Sequence, residues 1–400
     1  MLKRVHIGSF RSCVNVNLDV SSPLMALAGR NGAGKTNVLK AVDWLARTAT
    51  TLEPPTEPVR WTDQGTIEVS VDVLLAGKDY RYWLARTPTP PRESEPVELF
   101  REGLGEISED SAQPPRWIFT RGGETLQVDG RSEPYLIGPS STSLPALSAL
   151  LPPEDPLRPL VSQLRDFLGS IRYYPLEEPM ASGADSESLP LTSNELYQKW
   201  RAAPEVGESA SVTMRLLHLF LEDQPRFQEV ESLLGPNGLG VLRSLDFRSI
   251  DLATQTKTSE GKDLRFYFLQ MVPADCDEDA RFAFADLSAG TRRTIRLLVS
   301  LIYDGSNVML LEQPEDSIHS GLTAKLLGIL ESYSRERVII IATHSTRMFN
   351  ALGPESIRLV TMRHGVTHVR PLSGNELETA RAFLENEGSL SDFLEGIEED

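Results

Sequence analysis

Cysteine is scarce in this chain. Cys13 and Cys276 are its only two in 400 residues, and their separation matches no metal-ligand spacing. Long apolar runs are missing as well. No stretch approaches the ~18–20 unbroken apolar residues that a membrane-spanning helix needs, so no membrane partner is expected. The opening residues, Met1 to Phe10, carry Lys3 and Arg4 without an apolar run behind them. They read as a first strand rather than a secretion signal, which with the few cysteines points to the reducing cytoplasm. No internal repeat and no sustained heptad pattern occurs, which excludes a coiled-coil arm.

Positive charge is in deficit. Forty Lys and Arg against 57 Asp and Glu leave a formal net charge of −17. That argues against a protein that coats DNA through its overall charge, while a local basic patch stays compatible with it. The acids gather from Glu376 to Asp400 and in loops such as Glu93 to Glu109, and read as solvated surface.

What is present suffices for a large core. The hydrophobic fraction is 40%, and the length favours one large α/β head with an insertion, or two domains. Leu24-Met25-Ala26-Leu27-Ala28 is a short apolar run, followed by a glycine loop and then by Val38, Leu39, Val42 and Leu45 at helical spacing. Thr66–Leu75 and Tyr80–Arg86 alternate as antiparallel strands joined near Gly77. From Pro88 to Gly240 the chain is richer in Pro, Ser, Gly and acids; helices are predicted at Leu157–Leu168 and Val212–Leu221, and loops at Gly183–Ser188 and Pro204–Ser211. Regular structure resumes with strands at Leu264–Met271, Val308–Leu311 and Val338–Ala342, helices at Leu287–Ile302 and Gly321–Arg335, and a hairpin around Arg363–Val369. The expected division is a head from 1–87 and 246–372, an inserted, partly helical lobe at 88–245, and an acidic tail at 373–400.

Gly29-Arg30-Asn31-Gly32-Ala33-Gly34-Lys35-Thr36 fits the Walker A pattern between a strand and a helix. Glycines let backbone N–H groups turn toward phosphate oxygens, and the helix N-terminus adds roughly half a positive charge. Lys35 is expected on the β- and γ-phosphates of ATP and Thr36 on Mg²⁺. Glu312, ending the apolar run Val308–Leu311, is the expected acid for the magnesium ion and its waters. The next position usually carries the glutamate that polarises the attacking water; here it is Gln313, which orients a water but cannot take its proton. Hydrolysis is then expected to be slow, with Glu315 or His344 as substitutes. Leu287-Ser288-Ala289-Gly290 precedes a helix and forms a second phosphate-binding end. Within one subunit that end cannot reach the P-loop nucleotide in this architecture, which implies a partner subunit. His344, after Val338–Ala342, is placed to sense a γ-phosphate.

This ordered set resembles the ABC ATPase class, and within it the RecF, SMC and OLD branch. Phe10-Arg11-Ser12 is similar to the start of that branch, where the arginine lies beside the nucleotide. The run Gly29 to Asn37 is typical of it, and Glu312, Pro314, Glu315 and His319 are similar to OLD-like prokaryotic defence ATPases. The resemblance spans 1–85 and 265–345. It implies an α/β, ABC-type P-loop head with an antiparallel β lobe. It also implies a homodimer of heads or a higher homo-oligomer, and, since no nuclease cluster follows, a separate effector such as a nuclease or toxin. Three functions are compatible. The first is an ATP-driven switch in anti-phage defence. The second is a RecF-like repair ATPase binding DNA through Arg292, Arg293 and Arg296. The third is an ATP-held scaffold for a toxin. Arg172 to Glu177 is a candidate Q-loop.

Overall fold

A computed structural model describes residues 1–51, 65–88, 98–108, 113–139, 141–175, 191–203, 211–251, 265–316 and 318–385. Of the loop expected at 93–109, residues 98–106 form a strand instead, paired on both sides in the sheet. Residues 93–97 and 109, most of the loop expected at 204–211, all of that at 183–188, the tail beyond 385, and Leu176 and Glu177 of the candidate Q-loop fall outside the described residues. The chain divides into two compact units, one of Met1–Tyr173, Asn307–Glu312 and Ser334–Asp400, the other of Tyr174–Ser306 and Gln313–Tyr333. The expected boundary at 88 coincides with the end of a strand, and residues 98–173 pack within the first unit.

In the first unit the chain forms β1 (Leu2–Phe10), β2 (Cys13–Asp19), β3 (Leu24–Ala28), α1 (Lys35–Thr50), β4 (Ile67–Leu75), β5 (Lys78–Pro88), β6 (Glu98–Glu106), β7 (Arg116–Gly122), β8 (Thr125–Val128), β9 (Tyr135–Leu136), α2 (Ser143–Leu150), α3 (Arg158–Gly169) and β10 (Ile171–Tyr174). The second unit holds β11 (Leu191–Ser193), α4 (Asn194–Ala202), α5 (Val212–Glu222), α6 (Gln224–Leu234), β12 (Leu242–Asp251), β13 (Arg265–Pro273) and α7 (Ala289–Tyr303). Then β14 (Val308–Glu312) returns to the first unit and α8 (Ser320–Ser334) to the second. The chain closes in the first with β15 (Val338–Thr343), α9 (Thr346–Leu352), β16 (Ile357–Arg363), β17 (Val366–Pro371) and α10 (Gly374–Glu385).

The first unit is built on one sheet in the order β10-β14-β15-β3-β16-β17-β2-β1-β4-β5-β6-β7-β8-β9. Its first half is a parallel nucleus: β14, β15, β3 and β16 pair parallel. Their apolar runs are buried on both faces, as parallel strands between helices must be. Its second half, from β1 to β9, is an antiparallel meander. The fold is thus the α/β, P-loop type with an antiparallel β lobe. Helix α1 buries Val38, Leu39, Val42, Trp44 and Leu45 in the main core, and α2 and α3 add Leu144, Leu147, Leu164 and Leu168. A smaller cluster of Ala28, Phe349, Ile357, Leu359, Leu372 and Ala380 packs α9 and α10.

The meander contains a buried charge pair. Glu102 and Arg121 have fully buried side chains 3.0 Å apart. Tyr82 donates to Glu102 at 2.8 Å and the Ser143 backbone N–H does so at 2.8 Å. Burial pushes the Glu102 carboxyl up, and the Arg121 guanidinium opposes the shift.

In the second unit β11, β13 and β12 form a small antiparallel sheet, and α5, α6 and α7 pack together. Arg215 is buried there: its Nη1 donates to Ser300 Oγ at 2.8 Å, its Nη2 lies 3.5 Å from Asp304, and its guanidinium sits 5.7 Å from the Tyr303 ring centre. Tyr174, the last residue of β10 and the first of the second unit, donates to the other Asp304 oxygen.

Candidate functional site

The strand order decides where chemistry collects. Ala28 of β3 lies opposite Thr343 of β15, and Ala342 lies opposite Glu312 of β14. Three parallel strands therefore end side by side, and the residues that follow or close them share one edge, the usual place for a site in such sheets. The glycine loop leaves from β3 at this edge. Gly32 and Gly34 have φ of +82° and +101°, conformations that L side chains rarely adopt. At Gly29 space forbids a side chain, since a Cβ would lie 2.1 Å from the Val360 carbonyl oxygen.

Lys35, the first residue of α1, is only 7% exposed. Its ammonium donates to the Gly29 and Arg30 carbonyls at 2.6 and 3.0 Å, so it bends back over the loop instead of reaching outward. Thr36 donates its hydroxyl to Glu312 Oε1. This contact joins residues far apart in sequence and sets two hard oxygen donors together. The other Glu312 oxygen accepts from Tyr173 of β10 at 2.5 Å.

A second set of hydrogen bonds props the loop from below. Thr367 of β17 donates to the Ala33 carbonyl at 3.2 Å and shares a 2.7 Å hydrogen bond with the Ser12 hydroxyl. Asn37 donates to Ser12 at 2.8 Å and accepts from Arg11 at 3.4 Å. Arg11, at φ 54°, turns the chain between β1 and β2. Arg11, the glycine loop and Asn37 are thereby brought together. Thr367 carried no signal in the sequence, because a lone threonine in a hairpin strand looks like any other. Beside it, burial pushes the Cys13 thiol up to about 11, which leaves it protonated and unreactive.

Arg30, Asn31 and Gly32 are exposed at the tip of the loop. His344 is exposed just past the end of β15. Gln313 belongs to the second unit. Its φ is 44° although it is not glycine and precedes Pro314, a combination that disfavours the left-handed region twice. Arg293 holds it there, donating to its carbonyl at 2.7 Å. Non-glycine residues in such conformations cluster at functional sites.

Also in the second unit, Ser288 caps α7 by accepting from the Thr291 backbone N–H at 3.2 Å. Leu287 is buried, while Ser288 and Ala289 are exposed and Gly290 is partly so. The three arginines of α7 are occupied locally: Arg292 donates to the Ala285 and Leu287 carbonyls, Arg293 pairs with Asp316, and Arg296 lies over Phe284.

Residues 24–348 match the family described as "AAA domain, putative AbiEii toxin, Type IV TA system". The chain belongs to this family. It is accordingly a P-loop ATPase-type protein, a class whose members bind nucleotide and usually magnesium. No curated protein matches this AAA-domain chain. Among solved structures it is similar to the SMC head domain from Thermotoga maritima, at 14% identity and a TM-score of 0.43 over 93% of this chain and 99% of that one. It is also similar to the SmcHead bound to the C-winged helix domain of ScpA, at 14% identity and a TM-score of 0.47 over 94% and 99%. A third is the Smc head domain with an extended coiled coil bound to the C-terminal domain of ScpA derived from Pyrococcus furiosus, at 14% identity and a TM-score of 0.46 over 96% and 99%. No helix among the described residues is long and apolar enough to cross a membrane.

The residues at the edge fit both groups that the family implies. Gly29 and Gly34 leave no room for a side chain against Val360 and Thr367, and Gly32 and Gly34 take positive φ, the backbone freedom that a phosphate cradle requires. Thr36 and Glu312 supply the hydroxyl and carboxylate that a hard divalent cation prefers.

Proposed function

We propose that this protein is an ATP-binding, dimerising switch that hydrolyses ATP slowly and controls a separate effector, a nuclease or toxin, in bacterial anti-phage defence. The observation that carries it is the Thr36–Glu312 contact at the mouth of a glycine loop propped by Thr367. In this reading the loop from Gly29 to Gly34 holds the β- and γ-phosphates through its N–H groups, with Arg11, Arg30, Asn31, Ala33 and Asn37 lining the nucleotide. Lys35 swings its ammonium from two carbonyls to the phosphates. Magnesium, when bound between Thr36 and Glu312, supplies charge neutralisation on the β- and γ-oxygens. Gln313 orients the attacking water without accepting its proton, and His344 donates toward the γ-phosphate.

The exposed Ser288 and the partly exposed Gly290 at the start of α7 serve the nucleotide of a second subunit, so that ATP closes a homodimer. The compartment is the cytoplasm, where ATP is abundant. The defence role rests on the family and on the Glu312, Pro314, Glu315, His319 run. Light scattering after gel filtration tests the switch: ATP and magnesium should convert monomer to dimer, and Lys35→Ala should stay monomeric. A wild-type protein whose mass ignores ATP would refute it. Gln313 also favours a second reading, a closed dimer that persists as a scaffold. A single-turnover rate at background for the wild type, with an intact dimer, is its signature.

Arg293, the middle of the three α7 arginines, is paired with Asp316, which reduces the charge offered to duplex DNA there, so the repair reading is the weaker one. It predicts ATP-dependent DNA binding that is strongest at low salt.

A further inference from the structure

We propose that Tyr173 is the positioning residue of Glu312: its phenol fixes one carboxylate oxygen, so that the other faces Thr36 and the cation, and thereby sets the protein's affinity for magnesium. The inference rests on the ATP-binding reading above and deepens it.

Glutamate needs such a partner more than aspartate does. Its extra methylene adds a rotatable bond, and an unrestrained carboxylate at a strand end samples several orientations, few of which face the cation. Here both oxygens are committed. Oε1 accepts from Thr36 and Oε2 accepts from the Tyr173 hydroxyl at 2.5 Å. Tyr173 itself is 9% exposed and part of the main core, so the hydroxyl is delivered from a fixed ring. β10, which carries it, lies beside β14 in the sheet, so the two partners come from adjacent strands. Lys40 places its ammonium 5.9 Å from the ring centre. Lys40 and Thr36 are four residues apart on α1 and share one helix face. One face of α1 thus touches both ends of the Tyr173–Glu312 pair.

Partners that orient a metal-bound carboxylate typically govern metal affinity by 10–100-fold. A ring that merely filled the core would not act on metal at all. Tyr173→Phe separates the two, since it keeps the ring and the Lys40 contact and removes one hydroxyl. The probes are Mn²⁺, followed by electron paramagnetic resonance in the presence of ATP, and a fluorescent ATP analogue titrated in EDTA. Tyr173→Phe should weaken Mn²⁺ binding about 10-fold or more while metal-free nucleotide binding stays within about two-fold of wild type. In a Glu312→Gln background the same substitution should change Mn²⁺ binding no further. Unchanged Mn²⁺ affinity in Tyr173→Phe overturns the proposal. So does an equal loss in both backgrounds, which would report a general packing defect. Failure of the wild type to bind the nucleotide analogue at all would instead refute the ATP-binding reading.

Discussion

Thr367 Oγ1 stands where a side chain on Gly34 would have to go: a Cβ on that glycine would lie 2.0 Å from it. The loop and the hairpin strand are therefore fitted to each other, glycine on one side and a hydroxyl on the other. Gly34→Ala should weaken ATP binding by about 100-fold or more, since a positive φ and a steric clash act together. Thr367→Ser should be near wild type, and Thr367→Val should lose about 5–30-fold through two broken hydrogen bonds. Calorimetry with ATP measures all three, and a tight-binding Thr367→Val would show that the prop is dispensable.

Gln313 sets the expected pace of hydrolysis. Gln313→Glu restores a group able to accept the water's proton and should raise the single-turnover rate by about 10²–10⁴-fold. Gln313→Ala should give no rise. An unchanged rate in Gln313→Glu would place the base elsewhere, with Glu315 the next residue to test.

Arg215 and Asp304 are both buried in the second unit, with side chains 1% and 0% exposed. Removing one charge strands the other, so Arg215→Met should cost about 3–5 kcal/mol. Arg215→Met combined with Asp304→Asn should recover part of the loss. Urea unfolding followed by tryptophan fluorescence reads it, because Trp200 lies 6.2 Å from the Tyr303 ring that Arg215 covers.

Helix α10 is pinned by Glu376, which accepts from Arg370 at 2.7 and 2.8 Å and from the Ser373 backbone N–H at 2.6 Å. The Arg370 hydrogen bonds come first among the causes that hold the Glu376 carboxyl down at about 2, below its ordinary 4.5. A depressed carboxyl stabilises the fold when charged. The contribution is complete above about 4.5 and lost as pH falls toward 2. Glu376→Gln should cost about 1 kcal/mol at pH 7, the usual worth of a helix cap. Its difference from wild type should shrink in melts at pH 3, and a difference independent of pH would count against the pairing.

The parts of the site that were legible in the sequence are those written in contiguous residues. Gly29–Thr36, Val308–Glu312 and Val338–Thr343 each announce a strand end and its chemistry locally. What stayed hidden depends on partners hundreds of positions away. Tyr173 lies in the run Arg172 to Glu177 that the sequence offers as a Q-loop, but its role comes from Glu312, and that of Thr367 from Ala33 and Ser12. The meander beyond Pro88 was hidden for another reason. β6 reads Glu-Leu-Phe-Arg-Glu-Gly-Leu-Gly-Glu, with the ionisable Glu102 at an inward position and glycines at outward ones. Gly103 has no room for a side chain because the Trp83 indole lies over it, 2.3 Å from where a Cβ would stand. Alternation fails as a guide where a charge is buried by pairing and an aromatic ring does the covering for its neighbour.

The place of β3 in the sheet has a consequence for how the chain is made. Its neighbours on both sides, β15 and β16, come from the far end of the sequence: Leu24 pairs with Ile339, and Ala26 with Ile357. At ribosomal rates of about 5–20 residues per second, roughly 15–60 s pass between synthesis of the P-loop strand and arrival of its partners. Throughout that interval Leu24-Met25-Ala26-Leu27-Ala28 has no native strand to pair with. A nascent chain cut short before Val338 therefore carries an apolar strand with two open edges, and cellular quality control would meet it as an aggregation hazard.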